Sequence, residues 1–136
     1  MIRISEKLRL QVAQNANFKC EYCLIPEYFL ATTFHIDHIR SIKHRGESLL
    51  INLAYACPHC NQNKGSDIAS YNDQEEITRF FNPRSDNWEE HFEVNPNGII
   101  SHLTAIGEVT IRTLDFNQIE RVILRKSLIE IGVYNS

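Results

Sequence analysis

Residues 31–65 read ATTFHIDHIRSIKHRGESLLINLAYACPHCNQNKG, and this stretch decides the fold. Residues 31–39 are rich in β-branched and aromatic side chains, a composition typical of a strand. A polar loop follows over residues 40–48, with Gly46 as its turn residue. Residues 49–56 form a second apolar run. The pattern therefore predicts two strands that pair through the loop between them.

A short helix is predicted directly after the second strand. Pro58 suits a first helical turn, because its missing N–H needs no partner there. Gly65 suits the residue after a helix, because it adopts the backbone conformation common at that position. The whole segment is therefore expected to run strand, loop, strand, helix.

The four cysteines of the chain form two pairs with the spacing Cys-x2-Cys: Cys20, Cys23, Cys57 and Cys60. Each such turn brings two sulfur atoms to one side, and two turns complete a tetrahedral Zn²⁺ site. Two disulfides are the first alternative, which a reducing cytosol disfavours. Four free thiols are the second, which the matched pairing disfavours. The spacing predicts a structural zinc ion, closed by four sulfur ligands and therefore not catalytic.

A carboxylate, an imidazole and two amides lie between or directly beside the cysteine pairs. Asp37 and His38 end the first strand, Asn52 lies near the start of the second, and Asn61 follows the last cysteine. Carboxylate and amide oxygens suit Mg²⁺ or Mn²⁺, and an imidazole takes up a proton near neutral pH. Together these groups can attack a phosphodiester with one divalent metal ion.

The order and spacing of these residues closely resemble the zinc-knuckle branch of the HNH endonucleases. The resemblance covers residues 20–65 through Cys20-x2-Cys23, Asp37-His38-Ile39, Asn52-Leu53 and Cys57-x2-Cys60-Asn61-x2-Lys64-Gly65. It implies a ββα-metal fold and the cleavage of DNA to 5′-phosphate and 3′-hydroxyl ends. A softer resemblance to one bacterial HNH group lies in the second half, in residues 81–92 and 103–107.

The resemblance also implies a role for each polar residue. Asp37 and Asn61 are expected to bind the catalytic Mg²⁺ or Mn²⁺, although Asn61 has the alternative of capping the helix. His38 is expected to be the general base that activates water. Asn52 is expected to brace the loop between the strands and so to orient His38. One departure from the family is Arg45, which replaces a glycine; another is the missing proline soon after the Asp-His-Ile run.

Asp37 and His38 are neighbours in the sequence and both have to reach one site, although neighbouring side chains in a regular strand face opposite sides. The strand is therefore expected to end or bulge at Asp37 and His38. His35 shares the side of Asp37 and is expected to support the metal ligands or to contact a phosphate, with a solvated strand residue as the alternative.

Basic side chains concentrate around the motif, although the chain as a whole has a net charge of −3. Residues 1–65 have a formal charge of +3 and residues 66–136 one of −6. Attraction to DNA is therefore expected to be local, modest and sensitive to salt; a merely solvated face is the alternative. The candidates for supporting the site or contacting phosphates are Arg40, Lys43, Arg45 and Lys64, with Arg3, Lys7, Arg9 and Lys19 adding positive charge.

The fold class is expected to be α+β. We expect an HNH domain over residues 1–72 and a C-terminal extension over residues 73–136, packed together as one globule. Local signals predict helices capped by Ser5, Thr104 and Asn117. A hairpin is predicted over residues 92–103, and the aromatic residues Phe80, Phe81 and Trp88 are expected in the core.

The sequence as a whole predicts a Mg²⁺- or Mn²⁺-dependent DNA endonuclease that nicks or cuts its substrate. A cut through both strands requires either a homodimer or two visits by one copy. The absence of a long apolar run and of a signal-peptide core predicts a cytoplasmic protein without a membrane span. The alternatives are a zinc-containing module that binds nucleic acid without cutting it, and a structural protein whose acidic half is an interface.

Overall fold

The computed structural model describes residues 4–134, and the chain divides into two compact units, Met1–Ser66 and Asp67–Ser136. The division falls before residue 72, because the segment just after Asp67 pairs with a strand of the second unit. The structure is mixed α and β with small two-stranded sheets, which confirms the predicted class. Across residues 4–134, no helix combines the length and apolar character needed to cross a membrane.

The first unit opens with helix α1 (Glu6–Asn15). Ser5 caps it as predicted, since its hydroxyl accepts a hydrogen bond from the Leu8 N–H at 3.1 Å. Val12 and Ala13 are its buried side chains, so one face of the helix contributes to the core.

The predicted hairpin is present, but both strands are shorter than expected. Strand β1 (His35–His38) pairs antiparallel with strand β2 (Leu53–Ala56), in a register that sets His35 opposite Ala56 and His38 opposite Leu53. Leu49 is not part of β2, because its carbonyl accepts from the Asn52 N–H at 2.8 Å in a tight turn. All four residues of β2 are buried, so this strand is central to the first unit.

Helix α2 (Pro58–Lys64) follows β2 directly, as predicted. Its cap is Cys57, whose sulfur accepts from the Cys60 N–H at 3.4 Å. Gly65 ends the helix with a φ of +54°, a value that glycine adopts without steric penalty. The strand, loop, strand, helix order of the sequence prediction is therefore confirmed.

The second unit starts with a hairpin that was not predicted, formed by β3 (Ala69–Tyr71) and β4 (Ile77–Arg79). The Asn72 side chain shapes its turn by accepting from the N–H groups of Gln74 at 2.8 Å and Glu76 at 3.0 Å. The turn contains no glycine, which is why the sequence pattern did not indicate it.

An aromatic core occupies the middle of the second unit. Helix α3 (Trp88–His91) leads into the predicted hairpin of β5 (Phe92–Val94) and β6 (Ile100–His102). The Phe92 ring lies 4.9 Å from that of Trp88 and 5.3 Å from that of Phe81, measured between centroids. These residues, with Phe80, are buried as predicted.

Two helices complete the second unit, α4 (Ala105–Thr113) and α5 (Ile119–Glu130). Thr104 caps α4 as predicted, accepting from the Gly107 N–H at 3.1 Å. Helix α5 is present as predicted, but Gln118 occupies the cap position that was predicted for Asn117. Asn117 instead accepts from the Ile100 N–H at 2.9 Å and donates to the Ile100 carbonyl at 2.8 Å, which ties its amide to β6.

Candidate metal and catalytic site

The four cysteines converge on one buried cluster in the first unit. Their sulfur atoms all lie within 4.8 Å of one another, and the sulfurs of Cys23 and Cys57 are 3.8 Å apart. Tetrahedral ligation at a Zn–S distance of about 2.3 Å requires sulfur separations of about 3.8 Å. The cluster is therefore compatible with a structural zinc site made of Cys20, Cys23, Cys57 and Cys60.

The two cysteine turns have the same local geometry. The Cys23 N–H points at the sulfur of Cys20 at 3.5 Å, just as the Cys60 N–H points at that of Cys57 at 3.4 Å. Burial raises the pKa values of the Cys20 and Cys60 thiols well above their usual range. A bound metal cation would oppose this rise in pKa, because it binds the thiolate form of cysteine and therefore favours loss of the proton.

Asp37 is buried and its carboxylate is held from two sides. The Tyr22 hydroxyl donates to Oδ2 at 2.6 Å, and the Lys64 ammonium lies 3.2 Å from both oxygens. Burial raises the pKa of the Asp37 carboxyl, while the charge of Lys64 and the hydrogen bond from Tyr22 oppose that rise. Tyr22 lies inside the first cysteine pair, and the sequence reasoning did not identify it.

Lys64 is only 2% exposed, so its ammonium does not lie at the surface. Besides the Asp37 carboxylate, it contacts the main-chain carbonyls of His38 and Ile39, each at 3.2 Å. In this structure the Lys64 ammonium therefore supports the Asp37 carboxylate and the end of β1.

His38 is half-buried at the end of β1, and its Nε2 lies 2.9 Å from the hydroxyl oxygen of Ser48. The pairing of Asp37 with Ala54 and of His38 with Leu53 is regular, so β1 ends at His38 without a bulge. Ser48 was not among the expected site residues, because a lone serine in a polar loop has no distinctive sequence signal.

Asn52 ties both arms of the loop together. Its Oδ1 accepts from the Arg40 N–H at 2.8 Å, and its Nδ2 donates to the carbonyls of Arg40 and Glu47, both at 2.9 Å. Gly46 lies against the same carbonyl, where an added Cβ would stand 1.6 Å from the Arg40 oxygen. Only glycine fits at this position without a shift of the loop.

Arg45 stands where the family pattern has a glycine, and its backbone conformation is one that glycine favours. Its φ is +67°, in the left-handed region that favours glycine. The arginine therefore adopts, at a steric cost, the conformation that a glycine would adopt freely. Its side chain is exposed, as are those of Arg40 and Lys43, so this loop presents positive charge to solvent.

Asn61 and His35 are the remaining candidates. Asn61 is half-buried on α2, and its side-chain amide has no hydrogen-bond partner among residues 4–134, so its oxygen is available to a cation. His35 is exposed on β1. Of the other basic residues, Arg9 donates to the Phe34 carbonyl, Lys7 is exposed and Lys19 half-buried, and Arg3 lies outside the described residues.

The chemistry of the donor set fits a small divalent cation in part. A carboxylate and an unpartnered amide oxygen are the kind of ligand that Mg²⁺ and Mn²⁺ take. Asp37, however, shares its oxygens with Lys64 and Tyr22. Asp37 and Asn61 therefore have the chemical groups that bind such a metal ion, but the Asp37 carboxylate already accepts hydrogen bonds from Lys64 and Tyr22.

Comparison with known proteins agrees with the motif. Residues 20–67 match the family model described as HNH endonuclease. Neither the curated proteins nor the solved structures contain a match to this chain. The matched segment holds the whole cysteine cluster and Asp37, His38, Asn52 and Asn61. This combination indicates a nuclease-type or nucleic-acid-binding role, and the match of residues 20–67 to the HNH family model agrees with the resemblance found in the sequence.

Proposed function

We propose that this protein is a metal-dependent DNA endonuclease that hydrolyses phosphodiester bonds with His38 as its general base. The observation that carries the proposal is the environment of the His38 ring within a matched HNH segment. The ring stands at the end of β1, beside Asp37, and contacts Ser48 in a loop that Asn52 holds in shape. A general base needs this kind of fixed orientation toward the attacking water.

The contact with Ser48 engages Nε2 of the His38 ring. In the proposed reaction the Nε2–H of His38 donates a hydrogen bond to the Ser48 hydroxyl, which leaves the lone pair on Nδ1. Nδ1 then takes the proton of the attacking water. Ser48 thereby acts as a positioning residue, because this hydrogen bond restricts the rotation of the ring and, with the hydroxyl as acceptor, keeps the proton on Nε2.

Two metals have separate places in this proposal. Asp37 and Asn61 would hold Mg²⁺ or Mn²⁺, which when bound supplies Lewis-acid stabilisation of charge on the phosphate oxygens. The four cysteines would hold Zn²⁺, which ties residues 20–23 to the start of α2. Arg40, Lys43 and Arg45 would contact the phosphates of the DNA backbone.

Supercoiled plasmid tests the activity directly. Purified protein is incubated with plasmid at a series of Mg²⁺ and Mn²⁺ concentrations, beside His38→Ala with its zinc content and circular dichroism checked. We expect metal-dependent nicking by the natural protein and none by the variant. Linear product formed from single encounters would indicate that two copies act together. Full nicking by His38→Ala would overturn the proposed mechanism.

A second candidate function is a zinc-containing module that binds nucleic acid without cutting it. The engagement of Asp37 by Lys64 and Tyr22 favours this alternative, because it occupies part of the expected metal ligand. The same plasmid, used in a mobility-shift assay, distinguishes the two. Binding without nicking at any metal concentration would support the module, and metal-dependent nicking would support the enzyme.

A further inference from the structure

Three consecutive apolar side chains are exposed in the loop of the first hairpin. Leu49 is 53% exposed, Leu50 38% and Ile51 72%, and we call these three residues the apolar loop segment. Ile42, on the opposite arm of the loop, is 45% exposed. Single exposed apolar residues are common in soluble proteins, but a contiguous group indicates a contact surface.

The apolar loop segment is fixed beside the candidate catalytic residue at both ends. Ser48, which precedes it, contacts the His38 ring at 2.9 Å. Asn52, which follows it, accepts from the Ile39 N–H at 2.9 Å through its main-chain carbonyl. The segment therefore lies directly between two residues that contact the end of β1, within reach of a polynucleotide strand that brings a phosphate to His38.

The charge around the segment favours nucleic acid as the occupant. Arg40, Lys43 and Arg45 are exposed in the same loop, against the single carboxylate of Glu47. This positive rim complements a phosphate backbone, whereas an apolar protein surface would leave it unpaired. The side chains of the segment have no hydrogen-bonding groups, so they cannot form hydrogen bonds with phosphates or base edges.

We propose, on the basis of the endonuclease function above, that the apolar loop segment is a wedge that inserts between base steps of the DNA. The preferred substrate is then DNA whose bases are already unstacked, as at a bulge or a mismatch. Apolar side chains act on DNA in this way by replacing part of the stacking that they disrupt. Unstacking costs least where the duplex is already distorted, so such sites are bound and cut in preference.

The experiment compares a bulged duplex with a perfect duplex of the same sequence. Ile51→Ser and Leu49→Ser remove the wedge at exposed positions where folding is little affected. Ile77→Ser is the matched control, since Ile77 is 73% exposed in the second unit. Cleavage efficiency is measured with Mn²⁺, and binding by fluorescence anisotropy without it.

We expect the natural protein and Ile77→Ser to prefer the bulged duplex by about tenfold or more in both binding and cleavage. The two wedge variants should lose most of that preference while still nicking plasmid. Retained preference in Ile51→Ser, or none in the natural protein, overturns the wedge and leaves the endonuclease function standing. If no DNA is cut at all, the endonuclease proposal fails and the binding comparison alone decides the wedge.

Sedimentation velocity tests the other possible occupant of the segment. A second copy of this chain would make the natural protein a dimer that Ile51→Ser converts to a monomer. We expect both proteins to sediment alike. Conversion of a dimer to a monomer by Ile51→Ser would show that the segment forms part of an interface between two copies, and would overturn the wedge.

Discussion

The ammonium of Lys64 lies 3.2 Å from both carboxylate oxygens of Asp37, and the two side chains are 2% and 4% exposed. This buried pair connects α2 to β1, and the same ammonium contacts the carbonyls of His38 and Ile39. Removing either partner of such a buried, hydrogen-bonded ion pair is destabilising, because the remaining charge would stay buried without a counter-charge.

Lys64→Met is therefore expected to lower the free energy of unfolding of the first unit by about 3–5 kcal/mol. Urea denaturation followed by far-ultraviolet circular dichroism measures the change. The double variant Lys64→Met with Asp37→Asn should recover part of the loss, because it removes both charges. An unfolding midpoint of Lys64→Met equal to that of the natural protein would contradict a stabilising role for the pair.

Ser48→Ala is expected to lower kcat by about tenfold while leaving KM almost unchanged. The variant removes one hydrogen bond that orients the His38 ring, worth about 1–1.5 kcal/mol. Ser48→Thr keeps the hydroxyl and should restore most of the rate. Ring ¹⁵N shifts of His38 should report a mixture of tautomers only in the alanine variant. A KM effect without a kcat effect would point to DNA contact instead.

The loop offers a pair of adjacent substitutions, of which one is expected to destabilise the first unit strongly and the other to change its stability little. Gly46→Ala places a Cβ 1.6 Å from the Arg40 carbonyl oxygen and should destabilise the first unit by about 2–4 kcal/mol. Arg45→Gly relieves about 1 kcal/mol of left-handed backbone strain, offset by the greater freedom of glycine in the unfolded chain. Thermal unfolding of both variants measures the difference. An equal loss of stability in the two variants would contradict this expectation.

Zinc removal is expected to unfold the first unit and spare the second, because the four cysteines all lie in the first. Metal analysis should find one zinc ion per chain, and a strong chelator should reduce the circular dichroism signal. Trp88 is the single tryptophan and lies buried in the second unit, so its emission should stay unchanged. A chain with no bound zinc, or one indifferent to the chelator, would speak against the site.

Asp86→Asn is expected to destabilise the second unit by about 1–2 kcal/mol at neutral pH. Arg79 donates to both carboxylate oxygens of Asp86, at 2.7 and 3.0 Å, and lowers the pKa of that carboxyl. A carboxyl with a lowered pKa in the folded state contributes stability above its unfolded pKa of about 3.9 and loses it as the pH falls further. Urea titrations read by Trp88 emission should show the natural protein and the variant converging below about pH 4. A constant difference down to pH 2 would contradict this coupling.

Features that depend on neighbours along the chain could be predicted from the sequence. The caps Ser5 and Thr104 and the end of α2 at Gly65 follow from a side chain or a backbone preference within a few residues. The cysteine spacing likewise predicted the cluster, since each pair needs only a local turn. The strand, loop, strand, helix order came from strand-forming composition, apolar runs and the local preferences of Gly46, Pro58 and Gly65.

Contacts between side chains far apart along the chain became visible in the folded structure alone. Lys64 looked like a surface cation, yet it lies buried against a carboxylate 27 positions earlier. Tyr22 and Ser48 had no sequence signal for their contacts with Asp37 and His38. Asn117 looked like a helix cap, but β6 offers its amide two main-chain partners. In each case the deciding energy is the desolvation of a polar group, which must find its partners wherever the folded chain brings them.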